Sequence, residues 1–482
     1  MRNLVKSKSR AVLTALFCAA IAQNAVADVA GQVQEFISPN GLREQCIRLN
    51  PMPGGDYKKK DAEQEAFFCS IDLNGPTTAL CPKTWSTSAG TMIYSTEDSR
   101  ISPAQYEASK CSAKTGHSKI GKFKNTMNTP KTSATFSTSS LLYYHFSRYF
   151  DTATDVPVAV YRTIDKDSHR ARVSSRGQGQ SAMNRAAWEM MRVAEKNPAA
   201  YSPQDDLFTA DRKQIYGVML RDRGERYGAE LNGTRASGWG KGQNNDFQKT
   251  PGFMALRSEK PLQEAAIEGT KLAIQDPAMR AAIGSGVSVA QVVYWMKELT
   301  EITLMDYIFS QQDRIGNIDF EWNWVYVKDG KVESEKVKDK KFKSLPRTKM
   351  ASIPVPPELK AFSPVLVQRS STGDNDAGGK VQYANFTKST QMLEKIRHYN
   401  ADLYRKLIAM KNDFKAQGPL YQHVKNTFGL GQRDFQMVVG NTLLAANILQ
   451  STCKAGQLRF DLDPKDVILG TNVEQRLNCD AP

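Results

Sequence analysis

Apolar residues recur at helical spacing over 288–309, where Val289, Val292, Val293, Met296, Leu299, Ile302, Met305 and Ile308 trace one stripe. The pattern predicts a long helix with a buried face. A second helix is predicted over 137–150, with Leu141, Leu142, His145, Phe146 and Tyr149 on one side and Ser137 or Thr138 as the cap. Further helical patterns cover 181–196, 388–412 and 434–450. Strand signals concentrate earlier. TTALCP and TMIYS, separated by a turn with Ser86, Ser88 and Gly90, predict a hairpin over 77–96. KIGKFK (119–124) reads as a short strand, and VAVYRTI as another after Asp155-Val156-Pro157 breaks the preceding helix. Residues 214–231 read as a hairpin turning near Asp222-Arg223-Gly224. Later strands are expected at 320–327, with Phe320, Trp322, Trp324 and Tyr326 on one face, and at 364–370. Residues 28–75 are mixed, 232–252 are polar and Gly-rich, and no repeat of 20–50 residues occurs. A β-rich beginning followed by a helix-rich remainder predicts an α+β protein of two lobes, 28–235 and 236–482.

The length of 482 residues allows a sizeable core, and 40% hydrophobic with 24% charged residues excludes a disordered, collagen-like or small disulfide-framework chain. The first 27 residues resemble an export signal. Arg2, Lys6, Lys8 and Arg10 precede a short apolar run at 11–22, and Ala25-Val26-Ala27 offers a small-x-small cleavage site. Phe17 before Cys18 argues against lipid attachment there, and no later segment is apolar for long enough to span a membrane. The mature chain is thus expected to be secreted or periplasmic, without a transmembrane segment. Six cysteines remain (Cys46, Cys69, Cys81, Cys111, Cys453, Cys479), an even number that predicts three disulfides, with Cys453–Cys479 closing the tail. A zinc site is disfavoured, because no C-x-x-C is present.

The formal charge is +15, or +11 once the four leader cations are removed. Much of it lies in 328–349, where nine Lys and Arg residues face only Asp329, Glu333, Glu335 and Asp339. The segment reads as an exposed loop, either simply solvated or a docking surface for an anionic partner. Nucleic acid is not the expected partner, since no recognised module accompanies the charge.

The stretch that carries chemistry is DYIFSQQDRIGNIDF (306–320), joined through two apolar strands to GDNDAGG (373–379). A long helix delivers Asp313, Arg314 and Asn317 to a polar loop, and an acidic, Gly-flanked turn follows the second strand. Phosphoryl transfer needs a carboxylate for the acceptor hydroxyl, and oxygen ligands for magnesium on the phosphates. The order of these segments resembles the protein-kinase-like superfamily, chiefly its secretory-pathway branch (four-jointed and related Golgi kinases), and more loosely the HipA-like and phosphoinositide kinases. SSLLYYHFSRYFDTATDVPVAVYR is similar to the regulatory helix and Val-Pro strand of the secretory branch.

The resemblance implies a two-lobed kinase-like fold, β-rich in the N-lobe, mainly helical in the C-lobe and stabilised by disulfides. It implies an exported transferase that uses ATP or another nucleoside triphosphate with Mg or Mn on a protein or glycan hydroxyl, adenylyl transfer being a variant. Asp313 matches the catalytic aspartate, Asn317 the metal-binding amide, and Asp374 or Asp376 the metal aspartate. Lys124, with Lys122 second, matches the phosphate-pairing lysine. The sequence departs from the pattern in three places. Asp313 and Asn317 are four apart rather than five, Ile315 stands where histidine is frequent, and the helix 137–150 holds no Glu, Ser140 occupying that place. Two other functions are therefore weighed beside catalysis: a catalytically silent kinase-like binding module, and a secreted binder of anionic surfaces through 328–349. Serine-hydrolase and zinc-protease readings fail for want of G-x-S-x-G and H-E-x-x-H.

Overall fold

The computed structural model describes residues 29–111, 118–221, 224–284, 286–339, 342, 345, 353–471 and 473–481. The expected export signal, and much of the basic segment beyond 339, lie outside the described residues. The architecture is α+β, sheet-rich in the N-terminal part and mainly helical in the C-terminal part.

The first sheet has seven strands: β1 (Gly31–Ile37), β2 (Arg43–Leu49), β3 (Thr78–Pro82), β4 (Thr91–Ser95), β5 (Lys119–Asn125), β6 (Ala159–Asp165) and β7 (Gln214–Leu220). They are antiparallel throughout, in the order β1-β2-β6-β7-β5-β4-β3. The hairpin expected over 77–96 is β3–β4, and KIGKFK is β5, seated between β4 and β7. Helices α1 (Lys59–Ser70), α2 (Pro103–Ser109), α3 (Thr138–Phe150) and α4 (Ala182–Lys196) belong to this part. Two disulfides tack helical segments to strands: Cys46 of β2 to Cys69 of α1, and Cys81 of β3 to Cys111 just beyond α2. The third joins Cys453 to Cys479, as expected.

The C-terminal part is built on α5 (Pro251–Leu256), α6 (Leu262–Ala273), α7 (Val289–Ile308), α8 (Ala401–Ala416), α9 (Pro419–Thr427) and α10 (Gln432–Lys454). A second antiparallel sheet lies among them, in which β9 (Ile318–Lys328) pairs with β10 (Lys331–Lys336), β11 (Val365–Thr372) and the two-residue β8 (Glu225–Arg226). The stripe predicted for α7 is buried, but so is nearly all of the helix, 17 of its 20 residues. It packs against α5, α6, α10 and β11, so it is an axis of the core and not an amphipathic surface helix. Its buried acids are all partnered. Glu298 bonds Arg369 and Ser370, Glu301 the amides of Ala153 and Thr154, and Asp306 Arg314 and Tyr143.

Several sequence expectations are corrected. The hairpin expected over 214–231 does not form: Asp222 and Arg223 of the expected turn lie outside the described residues, but β7 ends at Leu220 and Glu225–Arg226 pair with β9 of the second sheet, not with β7. Gly224 permits this at φ +93, since a Cβ there would lie 2.9 Å from the Phe320 carbonyl oxygen. The helix expected over 388–412 starts only at Ala401, where the Asn400 side chain accepts from the Leu403 amide and sets a new N-terminus. The basic segment is not all loop. Residues 331–336 form β10, Lys336 pairs with Glu321, and Lys338 pairs with Glu335. The strands β1 and β2 and the helices α1 and α9 carry too little periodicity to be read beforehand.

Candidate functional site

Alternation along β5 points Lys122 and Lys124 to one face, and both are buried, at 5% and 2% exposure. Burying two ammonium groups requires opposing charge. It comes from the turn after β11. Lys124 Nζ lies 2.8 Å from Asp374 Oδ1 and makes a further, very short contact to Asp376 Oδ1, while Lys122 Nζ is 3.5 Å from Asp374 Oδ1. Asp374 is held well below the usual carboxylate range, chiefly by Lys124, then by Lys122 and by Lys83 at the end of the β3 strand. The space enclosed by Lys122, Lys124, Ser140 and Asp374–Asp376 is about 10 Å³, so the pair is dry or holds a single water.

The acidic turn is fixed by the backbone around it. Phe136 N donates to Asp376 O at 2.6 Å, and Gln312 N donates to Ala377 O at 2.9 Å. Gly379, at φ +86, lies where a Cβ would be 2.8 Å from the Phe136 ring, so no other residue fits without displacing that ring. The turn is thus stitched both to the end of α7 and to the start of α3.

Arg314 ties the loop 313–317 to the same turn. Its guanidinium is buried and donates to Asp306 (2.9–3.2 Å), to Gly373 O (2.9 Å) and to Asn375 Oδ1 (2.8 Å). Tyr143 of α3 donates to Asp306 Oδ1 at 2.7 Å, so one buried charge pair connects α3, α7, the loop and the acidic turn. The Asp306 and Tyr143 roles were not visible in the sequence; an isolated Asp within an apolar helix was the one available signal.

Asp313 is partly buried, and burial together with the negative charge of Asp374 pushes its carboxyl up to about 6. A hydrogen bond from the Trp239 side chain, and the charges of Arg235 and Arg314, act in the opposite sense. Trp239 is 64% exposed and meets Phe386 edge-on, with ring centroids 5.1 Å apart. Arg235 lies over Gly316, where a Cβ would meet its guanidinium at 1.8 Å. The Gly-rich stretch after 232 thus forms a rim over the Asp313 loop.

The structure brings Lys122, Lys124, Asp374 and Asp376 together and sets Asp313 within their electrostatic reach. Asn317 is adjacent through the Gly373 N–H to Asn317 O bond (2.9 Å), but its amide is engaged. Its Oδ1 accepts from Arg226 (2.9 Å) and its Nδ2 donates to Asp313 O (2.6 Å). Arg226 also binds Asp319 (2.6 Å), a buried carboxylate beside Gly373 that the sequence reading missed. Among the described residues, no three His, Cys, Asp or Glu side chains converge as a preformed metal site. The acidic turn nevertheless carries one unused acceptor: Asp376 Oδ2 is buried without a hydrogen-bond partner. The Ser139 and Ser140 hydroxyls are in the same condition; α3 contains no Asp or Glu, and the acids that meet Lys124 come from the turn after β11. No protein-family model matches the chain, and no curated protein is significantly similar to it.

Proposed function

We propose that the chain is an exported kinase-like phosphotransferase that acts with ATP or another nucleoside triphosphate and Mg²⁺ or Mn²⁺ on a hydroxyl of a protein or glycan. One observation carries this reading: a buried strand lysine, Lys124, meets Asp374 and Asp376 from the turn after β11, and Asp313 lies within electrostatic reach of Asp374. Lysine on the third strand of a β3–β4–β5 meander, an aspartate loop after a long helix and an aspartate turn after the next strand pair are the parts phosphoryl transfer uses.

The metal–nucleotide complex supplies the transferable phosphoryl group and the positive charge that polarises it. Asp374 and Asp376 are the residues that would hold the metal, through the partly exposed Asp374 carboxylate and the unpartnered Oδ2 of Asp376, once the lysines move aside to enlarge a space of about 10 Å³. Lys124 and Lys122, now on these carboxylates, are placed to turn toward phosphate oxygens. Asp313 orients the acceptor hydroxyl and takes its proton. A carboxyl titrating near 6 is ionised at neutral pH yet more basic than an ordinary aspartate. Asn317 would be a further oxygen donor to the metal, its Oδ1 being held by Arg226 in the ligand-free protein.

A second reading, a catalytically silent nucleotide-binding module, is favoured by the same Arg226–Asn317 bond and by the lack of an acid on α3. Thermal unfolding of the oxidised mature protein with ATP and Mg²⁺ or Mn²⁺, combined with label transfer, separates the two. Under the transferase reading, the nucleotide–metal stabilises the wild type but not Asp374→Ala, and label from the γ-phosphate reaches an acceptor with wild type but not with Asp313→Ala. Transfer of α-phosphate label signals the adenylyl variant. Binding without transfer of either label selects the silent module, and absence of binding by any nucleotide overturns both.

A further inference from the structure

A cavity of about 560 Å³ opens between the N- and C-terminal parts, with no lining residue in common with the Lys–Asp centre. The two sites share elements but not ends. On α3, Ser140 faces the Lys–Asp centre while Arg148 lines the cavity, eight residues and about 12 Å farther along the helix. On β11, Arg369 and Ser371 line the cavity, and Asp374 lies in the turn beyond Thr372.

The lining is charged, and most of its cations are already neutralised. Arg148 is bonded to Asp61 (3.0 Å), Lys297 to Glu301 (3.0 Å), Arg369 to Glu298 (2.8 Å), and Lys336 to Glu321. Among the described lining residues five further carboxylates stand, Asp56, Asp151, Asp155, Glu333 and Asp463, against Lys58 and Lys60, a balance of −3 among those residues in a chain of formal charge +15; Asp155 also attracts Lys60 and Arg148. A second, independent feature points to a ligand. Tyr294 lines the cavity and is 2% exposed, its ring lies 5.1 Å from the Arg369 guanidinium carbon, and its buried hydroxyl has no hydrogen-bond partner. The carboxylates sit on separate elements: before α1, after α3, on β10 and near the C-terminus. Among the described residues they do not converge as a metal site, so spaced charges on a flexible chain match them better than one ion does.

We propose that this cavity binds a small linear polyamine, its ammonium groups paired with Asp155 and Glu333 and hydrogen-bonded to the Tyr294 hydroxyl. Because N-terminal and C-terminal residues both line the site, an occupant clamps the two parts together. The inference does not depend on nucleotide chemistry.

Calorimetric titration of the oxidised mature protein with spermidine at low ionic strength tests it. The expected result is saturable 1:1 binding that added salt weakens. Asp155→Asn/Glu333→Gln is expected to weaken binding by about tenfold or more, from the loss of charge-assisted hydrogen bonds. Tyr294→Phe is expected to weaken it by about threefold through its single hydrogen bond, and Asp374→Ala to leave it unchanged. All three variants are checked for native melting. Absence of saturable heat, or equal binding by wild type and the double variant, overturns the proposal. Loss of binding in Asp374→Ala overturns its independence from the Lys–Asp centre.

Discussion

Replacing Lys124 with Met keeps the length of the side chain and removes its charge. In the wild type this ammonium is 2% exposed and sits on two carboxylates, one of them the fully buried Asp376. Asp374 retains Lys122 at 3.5 Å, whereas Lys124 is the one ion-pair partner shown for Asp376 among the described residues, and Asp376 already carries one unpartnered oxygen. Leaving a buried carboxylate without its partner costs about 3–5 kcal/mol, a large share of the roughly 5–15 kcal/mol by which folded proteins are stable. Asp376→Asn in the same chain removes the stranded charge. Lys124→Met/Asp376→Asn is therefore expected to recover more than half of the loss, a coupling of about 2 kcal/mol or more. Urea unfolding at pH 7 with disulfides intact, followed by tryptophan fluorescence, measures all four corners of the cycle. A single-variant loss below about 1 kcal/mol, the range of solvent-exposed pairs, would refute the buried-pair argument. So would a double variant no better than Lys124→Met.

Two further outcomes follow from the acceptor side of the site. Because the folded protein holds Asp313 at about 6, above the unfolded carboxylate value near 3.9, the folded state binds the proton more tightly, and Asp313 costs stability as pH rises between these values. Asp313→Asn is expected to raise the melting temperature at pH 8 and leave it near wild type at pH 3, where the carboxyl is mainly neutral in both states; a gain equal at both pH values would exclude titration as its cause. Trp239→Ala, at a position 64% exposed, should change stability by no more than about 0.5 kcal/mol. Once an acceptor is found, this variant is expected to raise its KM while leaving the ATP KM unchanged; an unchanged acceptor KM would remove Trp239 from the acceptor side.

The ligand-free arrangement also constrains how the proposed site would work. Lys122 and Lys124 neutralise the two carboxylates that the reading assigns to the metal, so nucleotide and metal must enter together. Each lysine released by a carboxylate then meets a phosphate, and each carboxylate gains a cation. A metal ion alone would draw these carboxylates from both buried ammonium groups without supplying an anion in return, which predicts weak metal binding without nucleotide.

How much was legible beforehand differs from element to element. The β3–β4 hairpin, β5, α3, α4 and α7 were readable because periodicity and turn chemistry act within a few residues of one another. The even cysteine count foretold three bridges, yet the pairings Cys46–Cys69 and Cys81–Cys111 required strands and helices to be placed side by side. The sequence also placed Lys122 and Lys124 on one strand face and marked the two polar loops by composition. Only the tertiary structure decided that these lysines close on Asp374 and Asp376, residues some 250 positions away, because a buried charge selects its partner through space and not along the chain. The same holds for Arg314, whose partners lie on α7 and the acidic turn, for Arg226, which takes the Asn317 amide after crossing to the second sheet, and for the acidic cavity, assembled from elements that no local pattern relates.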